Sequence, residues 1–245
     1  MESLTLPFLG HTEGDAASGH LGYSFGTSAA SANRHYVPET LKSLHIRRGR
    51  SLAPSAFLGC VALREIDLPS ELTSIGSEAF SGCVSLTAVK IGKNVSSIGE
   101  RAFSGCNGVL TVTVDGQNTT YHSEGNCLIE TSAKTLLFGC RRSVIPSDGS
   151  VKIIASYAFE GCTGLSAITL PDELYLIQPY AFLGCDSLTT VTFEVAHRWL
   201  ISLSSDYSQP MAQYTVDEAQ NAASLTDRYV RYYWFQNKIF DEGAQ

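Results

Sequence analysis

The 245-residue sequence is poor in positive charge and has no long run of apolar residues. Its 17 Lys and Arg residues are outnumbered by 24 Asp and Glu residues, which gives a formal net charge of −7. Nucleic-acid binding requires clustered basic side chains on the phosphate backbone, so this function class is disfavoured. No apolar stretch approaches the ~18–20 residues that cross a bilayer, which argues against membrane insertion.

The sequence also lacks the usual motifs of a metal site and of a secretory signal peptide. It contains no Cys-x-x-Cys, His-Glu-x-x-His or calcium-loop spacing, so no metal ion and no cofactor is expected. Residues 1–7 lack the basic flank and apolar stretch of a signal peptide. Two interpretations follow: either the protein stays inside the cell, or the chain is a piece of a longer exported protein.

The pentapeptide Ala-Phe-x-Gly-Cys recurs five times along the chain. The copies are Ala56–Cys60, Ala79–Cys83, Ala102–Cys106, Ala158–Cys162 and Ala181–Cys185. Successive cysteines are 23, 23, 56 and 23 residues apart, and a weaker copy that ends at Cys140 divides the long step. A fixed period of this length is typical of a solenoid, in which stacked coils bury a continuous core.

Each repeat predicts the course of one coil. Three residues after the cysteine begins a Leu-x-x-Ile-x-Leu pattern, as in Leu63, Ile66 and Leu68, whose alternation predicts a β-strand. A second apolar pair follows at a spacing of three, as in Leu72 and Ile75. A short helical turn then places Ala and Phe inward, and Gly-Cys turns the chain into the next strand. The pattern therefore predicts an α/β solenoid.

The departures from the repeat predict the domain organisation. We expect an N-terminal cap over residues 1–40, a solenoid over 41–193 and a C-terminal cap over 194–245. Within the solenoid, a polar loop over residues 114–123 precedes two strand-like segments, 127–130 and 135–138, which predict a β-hairpin inserted at about 115–138.

The C-terminal cap carries a capping box and an aromatic segment. The box begins at Thr215 and predicts a helix that ends at about Thr226. The aromatic segment 228–235 is expected to form a strand or a helix end that covers the last coil, in preference to a platform on which sugars stack.

Six of the seven cysteines occupy the same repeat position. Equivalent positions on stacked coils have parallel Cα–Cβ vectors, which do not converge as a disulfide requires. We therefore expect reduced, buried thiols that pack as small apolar groups. Cys127 is out of register with the others and is the one expected to be exposed.

The repeat unit from Leu72 to Leu86 resembles the BspA-like leucine-rich repeat family of surface proteins. The resemblance extends to the interrupting segment 121–136, which is similar to that family's hairpin. It implies a right-handed leucine-rich-repeat solenoid of ~23-residue coils. It also implies display at the cell surface or secretion, and a role in adhesion through a host or cell-surface protein or glycan. The family has no agreed catalytic residues, so it implies no enzymatic activity.

The outward positions of the predicted strands define a candidate binding face. These positions are Ser43, His45, Glu65, Asp67, Lys90, Thr111, Thr113, Thr169, Thr190 and Thr192. We expect His45, Asp67 and Lys90 to lie side by side on consecutive strands, either as a surface charge ladder or as a polar binding site. The threonines could accept a partner's backbone or a glycan, although Thr is also a common strand residue.

Three functional hypotheses remain after these observations. The first is a non-enzymatic protein- or glycan-binding module, and the second is a structural spacer that presents another domain of a larger surface protein. The third is a hydrolase that uses Ser43, His45 and Asp67, which supply the residue types of a catalytic triad. No strained nucleophile turn or oxyanion-hole loop accompanies these residues in the sequence, which disfavours the third.

Overall fold

The structure is a computed structural model that describes residues 1–10, 18–195, 198–205, 210–215 and 221–236. The chain divides into two compact units, residues 1–122 and residues 123–245. Each unit is built of stacked β-coils, and the described helices are few and short. The expected solenoid is thus confirmed, and it is a β-solenoid.

The first unit contains short strands joined by turns. Its strands are β1 (Ser3–Leu6), β2 (Ser43–Ile46), β3 (Ser51–Leu52), β4 (Glu65–Asp67), β5 (Ser74–Ile75), β6 (Ala88–Ile91), β7 (Ser97–Ile98) and β8 (Thr111–Val114). Strand β9 (Tyr121–Glu124) follows where the chain passes into the second unit. The expected polar loop 114–123 therefore ends earlier than predicted. The described helices of this unit are 3-10 turns at Leu21–Phe25 and Ala30–Ala32, and α1 (Asn33–Tyr36).

The second unit combines coils, the hairpin and the C-terminal segment. Its strands are β10 (Cys127–Glu130), β11 (Thr135–Gly139), β12 (Ile153–Ile154), β13 (Ala167–Leu170), β14 (Leu176–Ile177), β15 (Thr190–Phe193), β16 (Arg198–Ser202), β17 (Pro210–Thr215) and β18 (Tyr233–Gln236). Strands β10 and β11 pair antiparallel, which confirms the predicted hairpin. Helix α2 (Asn221–Ala223) continues into a π-type turn at Ser224–Arg228.

Three separate hydrogen-bonded ladders join neighbouring coils. The strands predicted from the repeat form the first ladder, with parallel pairs β2–β4 and β6–β8 in the first unit and β13–β15 in the second. Strand β1, which the sequence did not predict, adds to this ladder by pairing parallel with β2. The second ladder is a parallel sheet of two-residue strands, β3–β5–β7, which the sequence reading did not predict as strands. Each of these strands carries one Ile or Leu toward the interior: Leu52 and Ile75 are buried, with Ile75 2 % exposed, and Ile98 is partly buried.

The pentapeptide itself forms the third ladder. In one copy the Phe57 N–H donates to the Ala79 carbonyl at 2.7 Å and the Gly59 N–H donates to the Ser81 carbonyl at 2.8 Å. The expected helical turn is a series of tight turns, in which the residue before Ala has a positive φ. Such residues are Ser55, Glu78, Arg101, Tyr157 and Tyr180, with φ between 56° and 63°.

The core of each unit is a column of phenylalanines flanked by cysteines. Phe57 and Phe80 stack with ring centroids 5.0 Å apart, and Phe159 and Phe182 stack at 5.1 Å. All seven cysteines are free and buried, as the register predicted for six of them. The expectation for Cys127 is wrong: it is fully buried, because β10 places it in the core of the second unit, opposite Gly139, with its thiol toward the Val144 carbonyl.

In the second unit the two-residue strands β12 and β14 pair parallel, and the C-terminal segment covers the edge of this pair at β14. Strand β18 pairs antiparallel with β14, and β16 pairs antiparallel with both β18 and β17. Trp199 and Trp234 are each 1 % exposed, so this aromatic segment packs inward as a strand. The predicted capping box extends into residues 216–220, which lie outside the described residues.

Candidate functional site

The predicted binding face begins on strands β2 and β4 of the first unit. The parallel register places Ser43 opposite Glu65 and His45 opposite Asp67. His45 Nδ1 lies 2.8 Å from Asp67 Oδ2, and these side chains are 41 % and 58 % exposed. Ser43 Oγ lies 3.3 Å from His45 Nε2, so the three side chains form one hydrogen-bonded chain.

The strand ladder is interrupted between β4 and β6. The Thr87 N–H donates to the Arg64 carbonyl at 3.1 Å, but β4 and β6 belong to separate sheets. In the intact pair β6–β8 a further hydrogen bond follows the last paired residues, where the Asp115 N–H donates to the Ile91 carbonyl at 2.9 Å. No hydrogen bond of this kind joins Gly92 to Leu68. The two strands therefore separate after Arg64.

The interruption changes the predicted row of charged residues. His45 and Asp67 are neighbours, as expected, but Lys90 is not paired with Asp67 across the ladder. No ion pair joins Asp67 and Lys90 among the described residues. The prediction of a continuous row His45, Asp67, Lys90 is therefore wrong at its third member, because the sheet that would align it is split.

Two features of the sequence accompany the split. Pro69 follows β4 and has no N–H with which to extend a strand ladder, but Pro171 holds the same place after β13, which pairs fully with β15. The next coil also carries smaller core residues, since Val89 and Val95 occupy the positions that Ile66 and Leu72 hold one coil earlier. Each replacement removes one methylene from the interior. Changes of the same size also separate Leu86 from Val109 and Ile91 from Val114, although β6 and β8 pair without a break, so these replacements alone do not locate the split.

A cavity of about 400 Å³ lies at the split. Its interior is apolar and reaches the phenylalanine column at Phe80 and Phe103. Ile66 and Leu68 are half-buried, whereas Val89 and Ile91 across the split are buried. Three charged residues complete the lining, namely Asp67, Lys90 and Asp115. The outward face and the core are thus connected at this cavity, which was not predicted from the sequence.

The charges around the cavity differ in what they already bind. The Asp67 carboxylate is held by the His45 ring, and Asp115 Oδ1 accepts the Gln117 backbone N–H at 2.9 Å. The Lys90 ammonium is exposed and makes no hydrogen bond or ion pair with any residue that the structure describes. The cavity therefore carries one positive group that remains available to a ligand.

The predicted threonines fall into two sets. Thr111 and Thr113 lie on β8 in the first unit, opposite Ala88 and Lys90 of β6. In the second unit Thr192 lies opposite Thr169, and Thr190 lies opposite Ala167. All five threonines are exposed, as the alternation predicts. Only the first set adjoins the cavity, which Thr113 lines.

The hydrogen-bonded series Ser43, His45 and Asp67 matches the order of contacts in a hydrolytic triad. The backbone donors beside it do not form the oxyanion hole that such a site also needs. An acyl-transfer site needs backbone or side-chain donors aimed at the developing oxyanion. The N–H groups of Lys42 and Ser43 both donate to the Glu2 carbonyl, at 2.8 and 2.9 Å. The backbone donors nearest to the serine are thus engaged in the sheet.

The buried thiols also make poor nucleophiles. Burial raises the pKa of Cys60, Cys106 and Cys127 to about 12, and it does the same for Cys162 and Cys185. The thiolate is the reactive form, so these groups are inert at neutral pH. Within the described ranges, no group of three or more His, Cys, Asp or Glu side chains is placed to hold a metal ion.

Comparison with solved structures shows which proteins share this architecture. The chain superposes on a leucine rich cell surface protein from Faecalibacterium prausnitzii with a TM-score of 0.57 and 29 % identity, over 67 % of this chain and 44 % of that one. The pneumococcal vaccine antigen PcpA gives a TM-score of 0.55 and 22 % identity, over 62 % and 39 %. The matched part thus spans less than half of either relative.

Comparison of sequences identifies the family. No curated protein matches the sequence. Among the described residues, no helix combines the length and apolarity needed to cross a membrane. Six copies of the BspA type leucine rich repeat region match residues 35–147 and 139–202, which is more than half of the chain. The chain therefore belongs to the BspA-type leucine-rich repeat family.

Proposed function

We propose that this chain is a non-enzymatic binding module of a bacterial surface protein and that its ligand is a host or cell-surface protein or glycan. The observation that carries the proposal is the polar strand face of the first unit, where exposed side chains of β2 and β4 adjoin a cavity that opens between β4 and β6. An exposed face with a cavity beside it is the usual form of a recognition site. The likeness to a cell surface protein supports display outside the cell.

The contacts within this face favour recognition over a stabilising role. The His45–Asp67 pair is exposed, and pairs of this kind contribute only about 0–1 kcal/mol to folding. Glu65 and Lys90 are exposed and form no ion pair with a described residue. Four ionisable side chains on adjoining strands thus contribute little to the fold and are available to a partner.

The test is a binding screen of the 245-residue chain against arrayed glycans and extracellular-matrix proteins. The first variant replaces His45, Glu65, Asp67 and Lys90 with Ala. A control variant with the same change in charge replaces four exposed residues that are not part of the face, namely His35, Glu39, Asp186 and Lys93. We expect saturable binding that the first variant abolishes and the control retains, with unchanged melting temperatures.

A second variant tests whether the binding site lies in the second unit instead of the first. It replaces Thr169, Thr190 and Thr192, which lie on β13 and β15, with Ala. Binding that survives the four-residue change and is lost here would transfer the site to the second unit. Binding that no variant affects would exclude both faces, and the absence of any ligand would favour the structural-spacer hypothesis.

The hydrolase hypothesis has one observation in its favour, the hydrogen-bonded order Ser43, His45, Asp67. It predicts turnover of p-nitrophenyl esters that is lost in His45→Ala and retained in His35→Ala, a change at an exposed histidine of the same unit. Because the neighbouring backbone donors are engaged in the sheet, we expect both variants and the parent chain to show equal background rates.

A further inference from the structure

We propose that the cavity between β4 and β6 binds a small molecule with an apolar body and an acidic head group, such as a medium-chain or arylalkyl carboxylate. The inference is separate from the proposed macromolecular partner, because it concerns the interior of the coil and not its outward face. It rests on the size and walls of the cavity, on its opening at the split, and on the charges at its mouth.

The walls of the cavity are fixed by the other two ladders. On one side of the coil Ser74 pairs with Ser97 in the short-strand sheet. On another the Phe80 N–H donates to the Ala102 carbonyl at 2.7 Å, and Phe80 stacks on Phe103 with centroids 5.3 Å apart. The two coils are thus held together everywhere except along β4 and β6. A cavity with fixed walls is preformed, so a ligand does not have to order them.

The size and lining of the cavity fit an apolar ligand. Its volume of about 400 Å³ falls within the roughly 300–1,000 Å³ typical of small-molecule sites. Leu72, Leu86 and Val95 line its interior with hydrocarbon, and such a surface offers water few partners. An empty apolar cavity forfeits dispersion contacts that an apolar ligand can restore.

The charges at the mouth select the head group. Lys90 presents an ammonium that no described residue pairs. Asp67 and Asp115, the two carboxylates of the lining, already accept hydrogen bonds from His45 and from the Gln117 backbone. A carboxylate at the mouth would pair with Lys90 while the apolar body lies against Phe80 and Phe103.

The probes are three compounds with the same alkyl chain and different head groups: octanoate, 1-octanol and octylamine. Binding to the 245-residue chain is measured by calorimetry and by saturation-transfer NMR. We expect 1:1 binding of octanoate, about tenfold tighter than that of octanol, because a charge-assisted hydrogen bond to Lys90 forms only with the acid. Octylamine should bind more weakly than octanoate.

Matched variants locate the site. Lys90→Gln should weaken octanoate about tenfold and leave octanol unchanged, whereas Lys93→Gln, at an exposed lysine nearby, should alter neither. Val89→Phe should fill the cavity and abolish both. Val95→Leu fills it more conservatively and should weaken both, which keeps the test informative if Val89→Phe does not fold.

Three results would overturn the proposal. One is the absence of binding by all three probes at millimolar concentration. Another is binding that the folded cavity-filling variants leave intact, which would place the probe elsewhere. The last is tighter binding of octylamine than of octanoate, which would show that Asp67 and Asp115, and not Lys90, bind the head group at the mouth of the cavity.

Discussion

Each residue of the pentapeptide has a separate structural role. Ala79 is fully buried where adjacent coils approach, and Phe80 fills the core between Phe57 and Phe103. The Cys83 thiol donates to the Phe57 carbonyl of the preceding coil at 3.2 Å. Cys106 and Cys185 make the same contact at 3.1 Å, so the thiol is a weak donor as well as an apolar group. This explains why Cys recurs where Ala would fill less space and satisfy no carbonyl.

Two glycines of one coil differ in the reason they are glycine, and substitution should separate them. A Cβ on Gly76 would lie 2.5 Å from Pro54 N and 2.6 Å from Ala53 C, so backbone would have to move. A Cβ on Gly82 would make only ordinary van der Waals contact, 3.6 Å from Gly59 Cα, but Gly82 has a φ of +72°. We expect Gly76→Ala to lower the free energy of unfolding by about 3 kcal/mol and Gly82→Ala by about 1 kcal/mol, measured by urea denaturation.

Asparagine serves as the control for this pair. Asn tolerates the left-handed region better than Ala, so Gly82→Asn should recover part of the stability lost in Gly82→Ala. Gly76→Asn should recover none, because its side chain meets the same backbone atoms. If Ala lowered the free energy of unfolding equally at both positions, the distinction between a steric clash at Gly76 and a left-handed backbone at Gly82 would be contradicted.

At the level of elements, the longer strand of each repeat was predictable, whereas the two-residue strands and the four-residue strands β1 and β9 were not. Leu44, Val89 and Val112 alternate with exposed neighbours, and the structure buries each of them in a parallel strand. The pair Ser74–Ile75 is too short to show any periodicity, so only the hydrogen bonds between coils reveal it as a strand. The sequence pattern therefore predicts a strand where the residues of a single coil are enough to show the apolar alternation.

The split between β4 and β6 escaped prediction for a related reason. Leu63, Ile66 and Leu68 follow the repeat as faithfully as the next coil does. What differs is the summed volume of side chains from two coils that meet in the core, a property of the stack and of no single repeat. The outward residues of the candidate site could therefore be predicted, but the cavity beside them could not.

The C-terminal strand should contribute substantially to stability. Trp234 is 1 % exposed and pairs with Ile177 across the β14–β18 edge, and its indole N–H donates to the Tyr229 carbonyl at 3.2 Å. Trp234→Ala should cost about 3–5 kcal/mol in urea denaturation. The neighbouring Phe235 is only half-buried, so Phe235→Ala should cost clearly less. Similar losses in both variants would show that β18 does not cover a core.

At the level of the whole molecule, the cysteines couple stability to alkaline pH. Desolvation raises the pKa of Cys60, Cys106, Cys127, Cys162 and Cys185 from 9.0 to about 12, and that of Cys83 well above 9.0. The unfolded chain therefore loses thiol protons from about pH 9, while the folded chain retains them to about pH 12. Because the unfolded state binds fewer protons in this window, stability falls as pH rises through it.

We expect the free energy of unfolding to be insensitive to thiol titration below pH 9 and to decline steeply between pH 9 and 12. Urea midpoints measured across this range test the slope. The matched control is a Cys60→Ala, Cys106→Ala, Cys162→Ala variant, which removes three of the thiols and whose decline should be shallower. An identical slope in the variant would show that the thiols do not govern alkaline unfolding.

The three ladders also bear on how such a chain lengthens over evolutionary time. Because the Phe N–H, the Cys thiol and the short strand of each coil bond to equivalent atoms of the coils on either side, an added coil keeps every bond only if it brings all 23 residues. A tandem duplication of one whole repeat in the gene would insert a coil whose upper and lower surfaces match those already present. A partial duplication would break all three ladders at once. Recombination between repeats is thereby restricted to whole units, and new surfaces arise by varying the outward residues of copied coils.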